Sequence, residues 1–182
     1  DSQSYKEVAE NFGAEVPFLR PEALAQDDSP EWMAWRHAIE FVNNCSDYPT
    51  LDVFISVPTT APLRSKEDID NCLDAFSEGG SDLVVTVTEA NRHPSFNMVT
   101  VSDEGRAELV LPVSTTISRR QDAAPVFDMT TVAYVADPKF VLQHSAAFDG
   151  RVRAVVVPKS RALDIDTELD FQYAEFLLGR NR

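Results

Sequence analysis

The stretch Asp52-Val53-Phe54-Ile55-Ser56-Val57-Pro58-Thr59-Thr60-Ala61-Pro62-Leu63-Arg64-Ser65-Lys66-Glu67-Asp68-Ile69-Asp70, followed by Leu83-Val84-Val85-Thr86-Val87, decides the fold class. Asp52 to Val57 reads as a short buried strand. Two prolines within five residues exclude regular structure from Pro58 to Arg64. Ser65 and Asp68 then form a capping box for a helix that carries Ile69, Leu73 and Phe76 and stops at Gly79-Gly80. The β-branched run from Leu83 to Val87 is a second buried strand. Strand, helix and strand in that order predict a βαβ unit, with the Pro58–Arg64 loop at a strand's C-terminal end.

Working outward, Tyr5, Val8 and Phe12 have helical spacing, with Ser4 and Glu7 placed as a capping box and Gly13 as the stop. Ser29 and Pro30 predict the start of a second helix with a core stripe of Trp32, Trp35, Ile39 and Val42. Downstream, Phe96 to Leu111 departs from the alternation, and Asp103-Glu104-Gly105 marks a turn within an excursion off the main sheet. Thr131 to Ala136 and Arg153 to Val157 are two further buried strands, separated by a short helix that starts at Asp137-Pro138. A last helix from Thr167 carries Phe171, Ala174 and Leu178. The expectation is one domain over residues 1–182, an α/β three-layer sandwich with a mostly parallel, mixed sheet, and ligands at the C-terminal strand ends.

At 182 residues and 43% hydrophobic content, the chain can bury a core of its own. A formal net charge of −14 argues against nucleic acid as a partner, because phosphate backbones need a basic face. No run reaches the roughly 18 to 20 apolar residues of a membrane span, and no signal segment opens the chain, so a cytoplasmic protein is expected. Cys45 and Cys72 are too few for a disulfide framework and are expected to be buried thiols.

Two clusters carry chemistry. In Asp164-Ile165-Asp166-Thr167-Glu168, an extended backbone points residues two apart the same way, and convergent carboxylates suit Mg²⁺ bound together with phosphate oxygens. Alternatively, Asp166 or Thr167 simply caps the last helix. Arg119-Arg120-Gln121-Asp122 is the densest positive cluster, able to grip a carboxylate or phosphate in bidentate fashion, or else a solvated charge pair. His93 reads as a loop histidine without a catalytic role. Neither His37 nor His144 has a nucleophile and base to pair with, and the Trp32/Trp35 pair reads as core.

Taken in order, these segments resemble the acylneuraminate cytidylyltransferase family along nearly the whole chain. Asn11-Phe12-Gly13-Ala14-Glu15-Val16-Pro17-Phe18-Leu19-Arg20-Pro21 is similar to the family's helix and following strand, and Pro58 to Arg64 to its P-T-S-P-L-R segment. Arg120-Gln121 through Tyr134 is similar to its R-Q, P-x-Y/F and N-G-A-x-Y stretches, and Asp164-Ile165-Asp166-Thr167 to its D-I-D-T. The resemblance implies a Rossmann-like nucleotidyltransferase fold, with Asp164 and Asp166 as catalytic Mg²⁺ ligands. It implies substrate contacts at Thr60, Arg64, Arg120, Gln121, Phe127 and Tyr134. Arg120 would meet the sugar acid, and Tyr134 would line its pocket. Pro58 stands where many members have Gln, Phe96 where some have Lys, Asp128 where some have a second Arg, and Thr130 where most have Asn.

The implied reaction joins CTP to the anomeric hydroxyl of a 2-keto sugar acid and releases pyrophosphate, with no covalent enzyme intermediate. The implied assembly is a homodimer that packs through about residues 96–120. The family's A-R-x-G-S-K triphosphate loop has no counterpart here. The expectation is that Asp1 follows a missing upstream segment, without which activity is negligible. The rival readings are a non-catalytic binding or assembly module of the same fold, and a related transferase for a different sugar.

Overall fold

The computed structural model describes residues 1–112 and 124–180. Its elements, in chain order, are α1 (Gln3–Asn11), α2 (Glu31–Asn44), β1 (Phe54–Ser56), α3 (Lys66–Ser77), β2 (Leu83–Glu89), β3 (Val99–Val101), β4 (Ala107–Leu109), β5 (Phe127–Ala136), α4 (Pro138–Gln143), β6 (Val152–Val156) and α5 (Glu168–Arg180). Four strands form one sheet in the order β1-β5-β2-β6, and β3 and β4 form a separate antiparallel pair. The amides of Asp82 and Leu83 bond to Arg151 O, and the Val157 amide to Val87 O, so β2 and β6 run parallel. Bonds from Ala90 N to Val126 O and from Asp137 N to Asp82 O make β5 antiparallel to β2. The result is an α/β fold with a mixed, mostly parallel sheet. α3 and β2 appear as expected, but the expected burial of β1 and β6 is corrected: both are edge strands, β1 is only three residues long, and Ile55 and Val156 are exposed. Nor are β1 and β2 neighbours, because β5 lies between them.

By internal contacts the chain divides into two compact units. The first comprises Asp1–Ser56, Phe76–Val84 and Val135–Arg153. Its core is built on α2, where Trp35 and Ile39 are buried; Trp32 stacks edge-on against Phe140, and Trp35 packs on Phe54. Trp32 Nε1 donates to His144 O (2.7 Å) and Val141 O (3.2 Å). The Arg36 guanidinium donates to the same two carbonyls, so the open C-terminal end of α4 is closed by α2 side chains. At the other end of α4, Pro138 occupies the first turn and Asp137 caps by accepting from Lys139 N.

Two expectations for this unit need correction, the Ser4–Glu7 capping box and the burial of Cys45. α1 starts at Gln3 with Ser2 extended before it, so Ser4 lies inside the first turn and forms no capping box. The stripe Tyr5, Val8 and Phe12 is exposed, Phe12 to 90%, because helical periodicity reports one apolar face but not what covers it. Cys45 is only half-buried, unlike the fully buried Cys72 of the other unit.

The second unit comprises Val57–Ala75, Val85–Tyr134 and Ala154–Arg182. Ala61, Val132 and Val157 form a buried cluster with Ala162 against it. Within the sheet, Thr86 Oγ1 donates to the carbonyls of Thr130 and Ala133 and accepts from Thr130 Oγ1. Here α3 starts with the predicted box: Asp68 Oδ2 accepts from Ser65 N (2.8 Å) and Ser65 Oγ (3.0 Å). The excursion is a β3–β4 hairpin that turns at Gly105 (φ 80°) and pairs Val99 with Leu109 and Val101 with Ala107. At its base His93 is buried; its Nδ1 accepts from Ser95 N, so Nε2 carries the proton and donates to Ala124 O. Both ring nitrogens are thereby committed to structure. The expected α5 stripe is corrected as well: Ala174 is buried, but Phe171 and Leu178 are exposed, because apolar residues surround this helix instead of forming one face.

Candidate functional site

The candidate site residues that fall within the described chain all belong to the second unit, which also contains the Pro58–Arg64 loop. Ala61 is its buried anchor, and its turns close through bonds from Ala61 N to Pro58 O and from Arg64 N to Ala61 O. The Arg64 guanidinium folds back to donate to Pro58 O, and its Nε is buried without a partner among the described residues. Burial holds the Arg64 pKa below the usual arginine value. Arg64 therefore shapes the loop in this structure.

After β6 a short 3-10 turn, Lys159–Arg161, leads into an extended stretch and then α5. The Ile165 amide donates to Thr60 O at 2.9 Å, so Asp164 and Asp166 flank the residue that ties this stretch to the loop. Thr167 caps α5 together with Asp170, whose Oδ2 accepts from Thr167 N (2.8 Å) and Thr167 Oγ1 (2.7 Å). These bonds, the hydroxyl's first, hold the Asp170 carboxyl below the usual carboxylate range. The cap is thus made by Thr167 and Asp170, which leaves the carboxylates of Asp164 and Asp166 outside it. Asp164 is half-buried, and its Oδ1 is shielded from solvent with no hydrogen-bond partner among the described residues; Asp166 is exposed. A shielded carboxylate oxygen without a donor, two residues from an exposed carboxylate, is the oxygen-ligand chemistry that suits a hard divalent cation completed by water and phosphate oxygens. No cluster of three or more metal-ligating side chains occurs among the described residues, which Mg²⁺ does not require.

A cavity of about 300 Å³ opens beside this stretch, with Lys159, Ser160, Ala162 and Leu163 on one wall and Thr88, Glu89, Asn91, Asp128, Met129 and Thr130 on another. Tyr173 and Leu177 of α5 complete it. Lys159 Nζ donates to Asn91 Oδ1 at 2.7 Å, and Thr88 Oγ1 is buried without a partner among the described residues. Asp128 and Thr130, two of the four positions that depart from the family pattern, both line this space. Phe127 is exposed at the start of β5, whereas Tyr134 is buried in the strand and is not among the residues lining the cavity. Arg120 and Gln121 lie outside the described residues.

Sequence reading missed Lys159 and Arg161 and credited Asp68 with a cap alone. The available signal was a basic pair, Lys159 and Arg161, within five residues of Asp164 in a strongly acidic chain. Asp68 is 1% exposed and binds Arg161 through both oxygens, Oδ2 to Nε and Oδ1 to Nη2, each at 2.8 Å. Burial pushes the Asp68 pKa up, but the Arg161 guanidinium and the Ser65 donors together outweigh it and hold the carboxyl below its ordinary value.

No family model matches the chain. It is 31% identical over 181 residues to the post-translational flagellin modification protein B of Campylobacter coli, covering 98% of this chain and 74% of that protein. It is also 31% identical over 183 residues to the CMP-N,N'-diacetyllegionaminic acid synthase of Campylobacter jejuni, with the same coverage. An N-acylneuraminate cytidylyltransferase of Streptococcus agalactiae is 29% identical over 171 residues, which are 94% of this chain and 39% of that protein. Among solved structures, CMP:2-keto-3-deoxy-manno-octonic acid synthetase complexed with CTP superposes with a TM-score of 0.66 at 13% identity, covering 100% of this chain and 79% of that one. The 4-diphosphocytidyl-2C-methyl-D-erythritol synthase of Anaerococcus prevotii gives 0.63 at 13% identity, over 98% and 77%. These two likenesses establish the fold. The 31% identity to the first two relatives, over 98% of this chain and 74% of each of them, shows that this chain belongs to the acylneuraminate cytidylyltransferase family.

Proposed function

We infer that this protein transfers CMP from CTP to the anomeric hydroxyl of a nine-carbon 2-keto sugar acid, sialic acid or a related nonulosonic acid, and releases pyrophosphate. The observation that carries the reading is the tie between Ile165 N and Thr60 O, which holds two carboxylates outside the helix cap beside a cavity of mixed lining that includes Lys159. The acceptor's anomeric oxygen bonds to the α-phosphorus while the bond from that phosphorus to the bridging oxygen breaks in line. The electron pair leaves with pyrophosphate, and the hydroxyl proton passes to solvent. Asp164 and Asp166 would hold Mg²⁺; when bound, it supplies positive charge against the charge developing on the phosphate oxygens. The chain's own part is to fix those carboxylates, to offer Lys159 to the sugar, and to bring Arg120 to the acceptor's carboxylate. A cytoplasmic location fits this reading, because CTP is available there.

The β3–β4 hairpin supports a homodimer. Its cross-strand pairs Val99–Leu109 and Val101–Ala107 build one apolar face, on which Val99 and Val101 are exposed. The function is tested by measuring pyrophosphate release and CMP-sugar formation with CTP, Mg²⁺ and a panel of 2-keto sugar acids, for residues 1–182 and for a form as long as the relatives. A CMP-sugar product with one pyrophosphate per turnover is expected. Pyrophosphate release with no dependence on any sugar acid in either form would overturn the reading.

A further inference from the structure

We propose that Asp68, acting through Arg161, is a positioning residue that sets the Asp164–Asp166 stretch against the Thr60 loop; this rests on the function proposed above. A carboxylate that only caps a helix needs one oxygen and sits in water. Asp68 is 1% exposed and uses both: Oδ2 takes Ser65 N, Ser65 Oγ and Arg161 Nε, and Oδ1 takes Arg161 Nη2. The start of α3 is thereby joined by a two-pronged, charge-assisted contact to the last residue of the turn that precedes the carboxylates. Arg161 also approaches Glu67 at 3.9 Å, so its charge faces two acids of one helix turn.

The chain from Arg161 to Ile165 is a five-residue strap pinned at both ends to one short segment. Arg161 is pinned by its side chain to Asp68, and Ile165 by its amide to Thr60 O. Asp164 lies between the pins, and Asp166 one residue beyond the second. The segment that receives both pins, residues 58–68, is stiffened by the Arg64 contact to Pro58 O and by the Ser65–Asp68 box. With the first pin cut, the hydrogen bond from the Ile165 amide and the packing of Ala162 against the Ala61–Val132–Val157 cluster still hold the strap, but Asp164 loses the charged anchor on its N-terminal side. Stability alone is a weak reason to keep such a pair, since buried ion pairs often contribute little compared with apolar residues of the same size. Geometry supplies the stronger reason. Arg161→Lys keeps the charge but cannot reproduce the fork.

The test compares the full chain with Arg161→Met, Arg161→Lys and Asp68→Asn, the last of which keeps an acceptor for Ser65 N. Two readouts are used: amide hydrogen exchange residue by residue, and Mn²⁺ affinity from the electron paramagnetic resonance signal of the free ion. The expected result is faster exchange at Ile165 in all three variants, with the amides of β2 unchanged. Mn²⁺ affinity should fall about 10- to 100-fold in Arg161→Met and less in Arg161→Lys, the range seen when groups supporting metal ligands are removed. Unchanged exchange at Ile165, or equal acceleration at Ile165 and throughout β2, would overturn the positioning role. Faster exchange at Ile165 in the variants, combined with no Mn²⁺ binding by the parent chain, would retain the strap and refute the metal-dependent reading of the site.

Discussion

Replacing Lys159 by Met tests whether the cavity beside Asp164 receives the sugar acid. An ammonium has three donors, and in this structure Lys159 spends one on Asn91 Oδ1 at 2.7 Å, a neutral acceptor that leaves its charge uncompensated by hydrogen bonding. The cavity also presents Glu89 and Asp128. In a chain of net charge −14, an anionic acceptor would be repelled from this space without a local cation. A charge-assisted hydrogen bond to a ligand contributes about 1.5 to 3 kcal/mol, which at about 1.4 kcal/mol per decade is a factor of about 10 to 150. Met keeps most of the apolar stem, so lost packing adds little. Steady-state kinetics of CMP-sugar formation should therefore show the acceptor KM rising by about that factor while the CTP KM changes less than about threefold. Equal rises in both constants, or an unchanged acceptor KM, would refute the assignment of this cavity to the sugar.

The other expectations follow from separate contacts. Arg120→Ala should also weaken the acceptor far more than CTP, and the Lys159→Met/Arg120→Ala double mutant should exceed either single change if both cations meet the same acceptor. Asp164→Asn and Asp166→Asn should each lower kcat by about 100-fold or more, the scale of losing one electrostatic stabiliser, with Mn²⁺ affinity falling in parallel. Trp32→Phe and Arg36→Met remove donors that share the carbonyls of Val141 and His144, so each alone leaves those carbonyls partnered. In urea denaturation the double mutant should cost about 1 to 3 kcal/mol more than the sum of the singles, and additivity within about 0.5 kcal/mol would disprove the redundancy. The Asp82 carboxyl is held down from 3.8 to about 2, first by the Arg151 side chain and then by its amide. Its stabilising contribution is therefore complete above pH 3.8 and lost as pH falls through about 2, and Asp82→Asn should flatten that limb of the pH–stability curve.

Local pattern was enough to locate the elements that carry the site. The Ser65–Asp68 box, the proline-broken loop, the glycines that stop α3, the turn at Gly105 and the uninterrupted β-branched run of β2 each depend on residues a few positions apart. The order of the D-I-D-T stretch behind a strand and ahead of a capped helix was legible for the same reason. Tertiary structure decided the rest. The place of β5 between β1 and β2 rests on hydrogen bonds between segments far apart in sequence, which no periodicity encodes. The same holds for burial: Tyr5, Val8 and Phe12 repeat as regularly as a core stripe and yet lie exposed, because spacing defines a face and only packing covers it. Asp166 and Thr167 were equal candidates for the cap until Asp170 was seen to pair with Thr167. The contact between Asp68 and Arg161 joins residues 93 positions apart, and the cavity around Lys159 draws its walls from β2, β5, the turn after β6 and α5. A carboxylate's second partner and a lysine's surroundings are properties of the folded chain, fixed by non-local packing that brings distant polar groups to within 3 Å.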